Sequence, residues 1–315
     1  MKKLCILGSH FYGYEKEMVN EFKKKYKVKF INYRLNTFEF LFSKIFGIKI
    51  KNFIINRKLK QNLEDKEIDV LLIIGGQELD SNNFIYLKKN YNIKKYILYL
   101  WDNIERVKNF ENISSFCDNI YSFDKKDCKK YNLKYRPTFY SKRLEKLKNS
   151  DFKESIDIFF VGIYRKNRLD IVKELYGEKN YIYLYYPKIF FYLLKFLKRE
   201  EFKKINSKYI NFQPIKKEDY NELFKKSKYI LDIPENNQSG LTQRILDSLF
   251  LNKKIITTQK SLLEEKFYNE NNILLIESYE DIYKNKIFFE KEYEIISNEI
   301  VHYYSIEKWA EDILK

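Results

Sequence analysis

Short apolar runs of strand length recur along the chain, separated by stretches with helical spacing. In the first half the runs are KKLCILGS, KVKFINYR, DVLLIIGG, KYILYLWD and DNIYSFD, with a helix expected from about Gly13 to Lys25 after the first. In the second half IDIFFVGIY, YIYLYY, YINFQP, KYILDIP, KKIITT and NILLI repeat the scheme. Strand-length apolar runs alternating with helices are the pattern of parallel strands covered on both faces. The pattern therefore predicts an α/β fold of two doubly wound, Rossmann-like domains. The stretch SKRLEKLKNSDFKES is charged and lacks strand spacing, so the boundary is expected there: residues 1–147, then 148–298, then a final amphipathic helix within 299–315.

In open parallel sheets, ligands bind beyond the carboxyl ends of the strands. The residues that follow strands here are Gly8, Ser9 and His10; Gly75, Gly76, Gln77 and Glu78; Trp101, Asp102 and Asn103; and Ser122, Phe123 and Asp124. One further stretch stands out, DIPENNQSGLTQRILDSLFLNKKIITT from Asp232. Pro234 ends its strand because proline cannot donate to the ladder. Glu235, Asn236, Asn237 and Gln238 form a polar loop, and Ser239 is the expected N-cap of a helix running from Gly240 to about Leu251, with Asn252 as C-cap. On that helix Leu241, Ile245, Leu246 and Leu249 form an apolar face, and Gly240, Arg244 and Asp247 form a separate stripe. Its opening residues Ser239, Gly240, Leu241 and Thr242 offer a helix N-terminus to an anion. Arg244 offers a guanidinium fork suited to phosphate, and Asp247 can accept hydrogen bonds from a ribose. The same residues also fit a plain alternative, an Arg244–Asp247 ion pair on a solvated helix, with Gly240 a loop residue.

Composition narrows the class. A chain of 315 residues with 44% hydrophobic and 18% aromatic residues can bury two cores, which excludes general disorder. The net charge of +16 favours anionic partners, although Lys, Asn, Ile and Tyr are abundant together, as in an A/T-rich genome. Because the basic residues are diffuse and no recognised module is present, nucleic acid is not an expected partner. The start MKKLCILGS reads as a first strand rather than a signal peptide, and no window holds 18 uncharged apolar residues. Cys5, Cys117 and Cys128 show no metal-binding spacing, which fits a reducing cytoplasm. With no D-x-D motif, no metal is expected.

The segments YLWDNIERV, YSFDKKDCKKYNLKYRPTFY, DIFFVGIYRKNR and SGLTQRILDSLFLNKKIITT, in this order, resemble the two-Rossmann-domain (GT-B) glycosyltransferases. Within them the chain is similar to bacterial CgeB-like and group 1 enzymes of surface polysaccharide (lipopolysaccharide or capsule) synthesis. The resemblance implies two domains facing a cleft, with the acceptor on the first and the nucleotide-sugar donor on the second. It also implies a final helix that returns to the first domain, where Trp309 would anchor the hinge. Group 1 enzymes carry an E-x₇-E pattern; Asp247 falls where the second acid binds ribose, and Ser239 falls where the first contacts the sugar. In such enzymes Gly162, Arg165, Lys166 and Arg168 would stand where basic residues stabilise the leaving diphosphate. A solvated basic loop would have the same composition.

Asp102 is the leading candidate for the catalytic base, with capping of the helix NIERVKNF as its structural alternative. His10 is an alternative base, Glu78 ranks third, and His302 is peripheral. No cofactor is expected beyond the nucleotide sugar, which is a substrate. Two basic aromatic segments, TFEFLFSKIFGIKIKNF and YYPKIFFYLLKFLKREEFKK, suit an anionic membrane surface where a lipid-linked glycan acceptor would lie. The first is favoured, and the second reads equally as a core helix with lysines on its wet side. The expected location is thus cytoplasmic, peripheral at the inner face of the membrane. The competing readings are a sugar-nucleotide epimerase of the same fold, which two histidines make less favourable, and a non-enzymatic basic protein that binds nucleic acid or membrane.

Overall fold

The computed structural model describes residues 1–315 apart from 12, 149–151, 178, 198–201, 203–204 and 236–237. Lys198 and Arg199 of the second basic aromatic segment, and Asn236 and Asn237 of the polar loop, lie outside the described residues. By packing, the chain divides into two units, Met1–Lys142 with Ser239–Leu241 and Tyr303–Lys315, and Arg143–Gln238 with Thr242–His302.

The first unit is built on β1 (Lys3–Gly8), β2 (Lys27–Asn32), β4 (Val70–Ile74), β6 (Tyr96–Leu100), β7 (Asn119–Ser122) and β8 (Lys134–Tyr135). These strands form one six-stranded sheet in the order β2-β1-β4-β6-β7-β8, parallel throughout. A separate parallel ladder joins β3 (Glu67–Ile68) to β5 (Asn92–Ile93). Alternation explains why the central strands read as unbroken apolar runs. Leu4 and Ile6 pack on one face with Tyr14, Met18 and Phe22, whereas Cys5 and Leu7 pack on the other with Ile55 and Leu59. Both faces are covered, so both sets of side chains are buried.

The last helix, Ile306–Leu314, completes this unit. The Ser305 hydroxyl caps it by accepting from the Lys308 N–H, and Ile306, Trp309, Ala310 and Ile313 form its buried stripe. Trp309 is fully buried, with ring centroids 5.1 Å from Tyr99, 5.0 Å from Phe139 and 6.0 Å from Phe22.

The second unit holds β9 (Ile156–Ile163), β10 (Tyr181–Tyr185), β11 (Ser227–Asp232), β12 (Lys254–Thr257) and β13 (Ile273–Leu275). They are parallel in the order β10-β9-β11-β12-β13. The run YINFQP, expected as a strand, contributes only an isolated bridge between Asn211 and Tyr185. Ile210 is buried in the unit's core and Phe212 packs against it, and Pro214 has no N–H to extend a ladder, so the segment gains burial with strand pairing at Asn211 alone. Among the described residues no helix is long and apolar enough to cross a membrane.

Candidate functional site

In the second sheet the strand order reverses between β9 and β11, and beyond their carboxyl ends lies a cluster of three arginines and two acids. Arg168, on the helix Lys166–Val172, donates from Nε to the Ile233 carbonyl and from Nη1 to the Ile163 carbonyl, both at 2.9 Å. One side chain therefore ties together the two strand ends. Arg244, in the first turn of the helix Gln243–Phe250, places Nε and Nη2 at 2.9 and 2.8 Å from Asp232 Oδ1, and Nη1 at 2.9 Å from the Val161 carbonyl. Asp232 is fully buried and also accepts from the Thr242 hydroxyl at 2.6 Å and the Thr257 hydroxyl at 3.4 Å. Burying a carboxylate is costly unless charge and donors compensate it, and here they do.

Arg165 adds the third guanidinium, 3.3 Å from Glu235 and partly exposed. Burial first, then the neighbouring Arg244, pull the Arg168 guanidinium down to about 10, against the opposing pull of Asp232 and Glu235. Gly162 makes room for this arrangement. A Cβ there would stand 3.1 Å from the Phe160 ring and 3.5 Å from Arg168 Nη1. The cluster carries one more positive than negative charge, fixed at the point in a doubly wound sheet where ligands bind.

Of the residues expected to bind the donor, Gly162, Arg165, Arg168, Thr242 and Arg244 come together in this cluster. Asp247 lies one turn further along the same helix, buried, accepting from Gln243 Nε2 at 2.8 Å. Arg244 pairs with Asp232 rather than with Asp247, so the expected alternative of a solvated i, i+3 pair does not describe them. Lys166 is exposed and pairs with Asp170 at 2.7 Å.

Ser239, Gly240 and Leu241 correct the expected helix start. The helix begins at Gln243 because Thr242 is extended and its own hydroxyl accepts from the Ile245 N–H. The Ser239 N–H and hydroxyl and the Gly240 N–H all donate to Asp124, which also caps the helix Lys125–Tyr131. Those amides are thus committed to a carboxylate of the chain itself. The space left by the missing side chain of Gly240 is taken by the Phe123 ring, 2.3 Å from where a Cβ would stand, and Leu241 is buried. At the other end Leu251 is the C-cap, and Asn252 follows in the left-handed region at φ 54°.

In the first unit the strand order reverses between β1 and β4. His10 follows β1 with its ring exposed and its Nδ1 3.3 Å from Glu15 Oε1. Burial raises the Glu15 pKa, but the Phe11 N–H, the residue's own N–H and His10 outweigh it and leave the carboxyl below its ordinary range. After β4, Gly75 and Gly76 take φ of 88° and 80°, which side chains other than glycine rarely adopt, and the Gly76 N–H donates to the Tyr33 hydroxyl at 2.9 Å. This turn presents Gln77, whose Nε2 donates to Asp102 at 2.8 Å, while Arg106 stands 3.3 Å from the other Asp102 oxygen.

Ile104–Arg106 is a 3₁₀ turn preceded by Asn103, and the Ile104 N–H donates to Asp127. Glu78 is held by Arg34 and by the Leu35 N–H. His10 and Asp102 stand at the ends of β1 and β6, with β4 between, and each has its own partners. His302 is exposed.

Three functional candidates were not singled out from the sequence: Glu15, Asp232 and Glu235. Asp232 ends an apolar strand like the residues that were singled out, and Glu15 lies five residues after His10 at a helix start, so both left a signal. Burial pushes the Cys5 and Cys117 thiols up to about 12 and the Cys128 thiol to about 11, which makes them poor nucleophiles at neutral pH. Among the described residues no group of three or more His, Cys, Asp or Glu side chains is placed to hold a metal ion.

Two parallel, helix-covered sheets, each with a reversal of strand order, define the GT-B class of two Rossmann-like domains. Solved structures of that class match the chain over its whole length. A trehalose-6-phosphate synthase, studied for glycosyl transfer with retention, is similar with a TM-score of 0.64 and 12% identity over 99% of this chain and 98% of that one. An alpha-glucosyltransferase in complex with UDP and a mismatched DNA gives 0.59 and 13%, over 100% and 95%. The UDP-N-acetylglucosamine 2-epimerase of Rickettsia bellii gives 0.56 and 13%, also over 100% and 95%. At these identities the likeness is one of fold. No protein-family model matches the chain, and no curated protein does.

Proposed function

We propose that the protein is a metal-independent glycosyltransferase that moves a sugar from a nucleotide-sugar donor to a hydroxyl of a surface-glycan acceptor. The observation that carries this reading is the arginine cluster at the β9–β11 reversal. In the proposed reaction the acceptor oxygen bonds to the anomeric carbon, and the bond from that carbon to the phosphate oxygen breaks. The electron pair leaves with the nucleoside diphosphate, so negative charge grows on the diphosphate as the bond opens. Fixed guanidiniums stabilise that charge without reorganising. Arg165, the most exposed of the three, is proposed to meet the diphosphate directly, with Arg168 and Arg244 holding the strand ends that position it. Asp247 is proposed for the ribose. His10, oriented by Glu15, and Asp102 are the candidates to receive the proton of the acceptor hydroxyl.

A second reading, epimerisation of the sugar on its nucleotide, is favoured by the likeness to the Rickettsia bellii enzyme. Product analysis separates the two. When a panel of nucleotide sugars is incubated with the protein and glycan acceptors, transfer releases nucleoside diphosphate and yields a longer glycan. An isomeric nucleotide sugar formed without acceptor, and no diphosphate, would establish the epimerase instead.

A further inference from the structure

The helix Thr37–Phe46 of the first unit buries none of its residues, although it is the more apolar member of a helix pair. It is well formed, with a capping box in which the Asn36 side chain accepts from the Glu39 N–H and Glu39 accepts from the Asn36 N–H. Gly47, at φ 84°, turns the chain into the next helix, Ile48–Asn62, which is anchored to the core through Ile55 and Leu59. What joins the two helices includes a polar contact, Lys58 Nζ to Glu39 at 2.5 Å.

The polarity is therefore inverted. Phe38, Leu41, Phe42 and Ile45 follow the i, i+3, i+4, i+7 spacing that normally marks a core-facing stripe, yet Phe38 and Ile45 are each 76% exposed. Phe38, Phe42 and Phe46 form a row, with successive ring centroids 6.2 and 4.3 Å apart. An exposed apolar patch of this kind marks an interaction surface.

Charge identifies the partner. Residues 37–62 hold six Lys and Arg against one Glu, and Lys44, Lys49, Arg57 and Lys60 are exposed. A second copy docked on the same helix pair would add its own six Lys and Arg to these, which like charge disfavours. An anionic bilayer satisfies both features, since aromatic and aliphatic side chains enter the headgroup boundary while lysines reach its phosphates. We infer that the Thr37–Phe46 helix docks the first unit on an anionic lipid surface, lying in its plane with the Phe38–Ile45 stripe inward. This inference does not rest on the reaction proposed above. The helix Lys188–Phe196 of the second unit is also rich in exposed apolar residues, but it is seated on its core through buried Phe191.

The test is flotation of the intact protein with vesicles of phosphatidylcholine alone or with about one-third phosphatidylglycerol. The wild type should float only with the anionic vesicles, and less as salt rises. Combined Phe38→Ser, Phe42→Ser and Ile45→Ser should reduce binding at least about tenfold, whereas Ile189→Ser with Phe196→Ser should leave it intact. Should the triple variant fold poorly, Lys44→Glu with Lys49→Glu provides the same test by charge alone. Absence of wild-type binding would overturn the inference, as would full binding by the variants of this helix or loss confined to the second-unit variant. A wild-type dimer that the triple variant converts to monomer would assign the face to a second copy instead.

Discussion

The His10–Glu15 pair shows how much a single buried acid can decide. Glu15 is 5% exposed and its Oε2 accepts from the Phe11 N–H at 3.0 Å, so it fixes the backbone around His10 as well as the ring. The sign of its pKa shift sets a test. A carboxyl held below its ordinary 4.5 contributes stability above that pH and loses it as pH falls through the folded value. Glu15→Gln should therefore destabilise the fold at neutral pH by on the order of 1 kcal/mol, read as a lower melting midpoint. The gap between wild type and variant should close as pH drops below about 4.5 in thermal melts. A gap independent of pH would mean the carboxylate charge is not what holds this turn. At the β9–β11 end Asp232 has a comparable role. It gives Arg244 a fixed position, which leaves Arg165 the more accessible cation.

At the level of elements, the strands were legible because parallel strands buried on both faces need unbroken apolar runs, as in Val70–Ile74 and Tyr96–Leu100. Burial with pairing at a single residue was not legible, which is why YINFQP read as a strand. The stretch from Ser239 to Thr242 read as a helix start because Ser and Thr are both good caps. A tertiary contact decides between them: Asp124 engages Ser239, and Thr242 makes the local cap to the Ile245 N–H. Part of the candidate site was legible in the same way, through Arg165, Arg168 and Arg244. Asp232 carried the signal of a strand end but none of its pairing with Arg244, and Glu235 stood in a polar loop with no sign of its pairing with Arg165, since neither pairing has a fixed sequence spacing. Gly240 reports on the Asp124 contact. Gly240→Ala would press a methyl into the Phe123 ring and should cost about 1–3 kcal/mol in denaturant unfolding; an unchanged midpoint would show that the ring simply moves aside.

For the whole molecule, the sheet orders β2-β1-β4-β6-β7-β8 and β10-β9-β11-β12-β13 define a fold that the chain shares with solved structures at 12–13% identity. A shared topology reuses the same strand-end positions for ligands, while the side chains placed there set the chemistry. The cation surplus at the second reversal is what turns a common fold into a proposal about a diphosphate. Its most direct test is the melting midpoint of the wild type and of Arg165→Ala across a panel of nucleoside diphosphates and CMP. A ligand that binds only the folded state at about 100 times its dissociation constant adds about 2.7 kcal/mol. We predict that at least one nucleotide raises the wild-type midpoint and that Arg165→Ala loses most of the rise. No shift with any nucleotide, or an equal shift in the variant, would contradict the account.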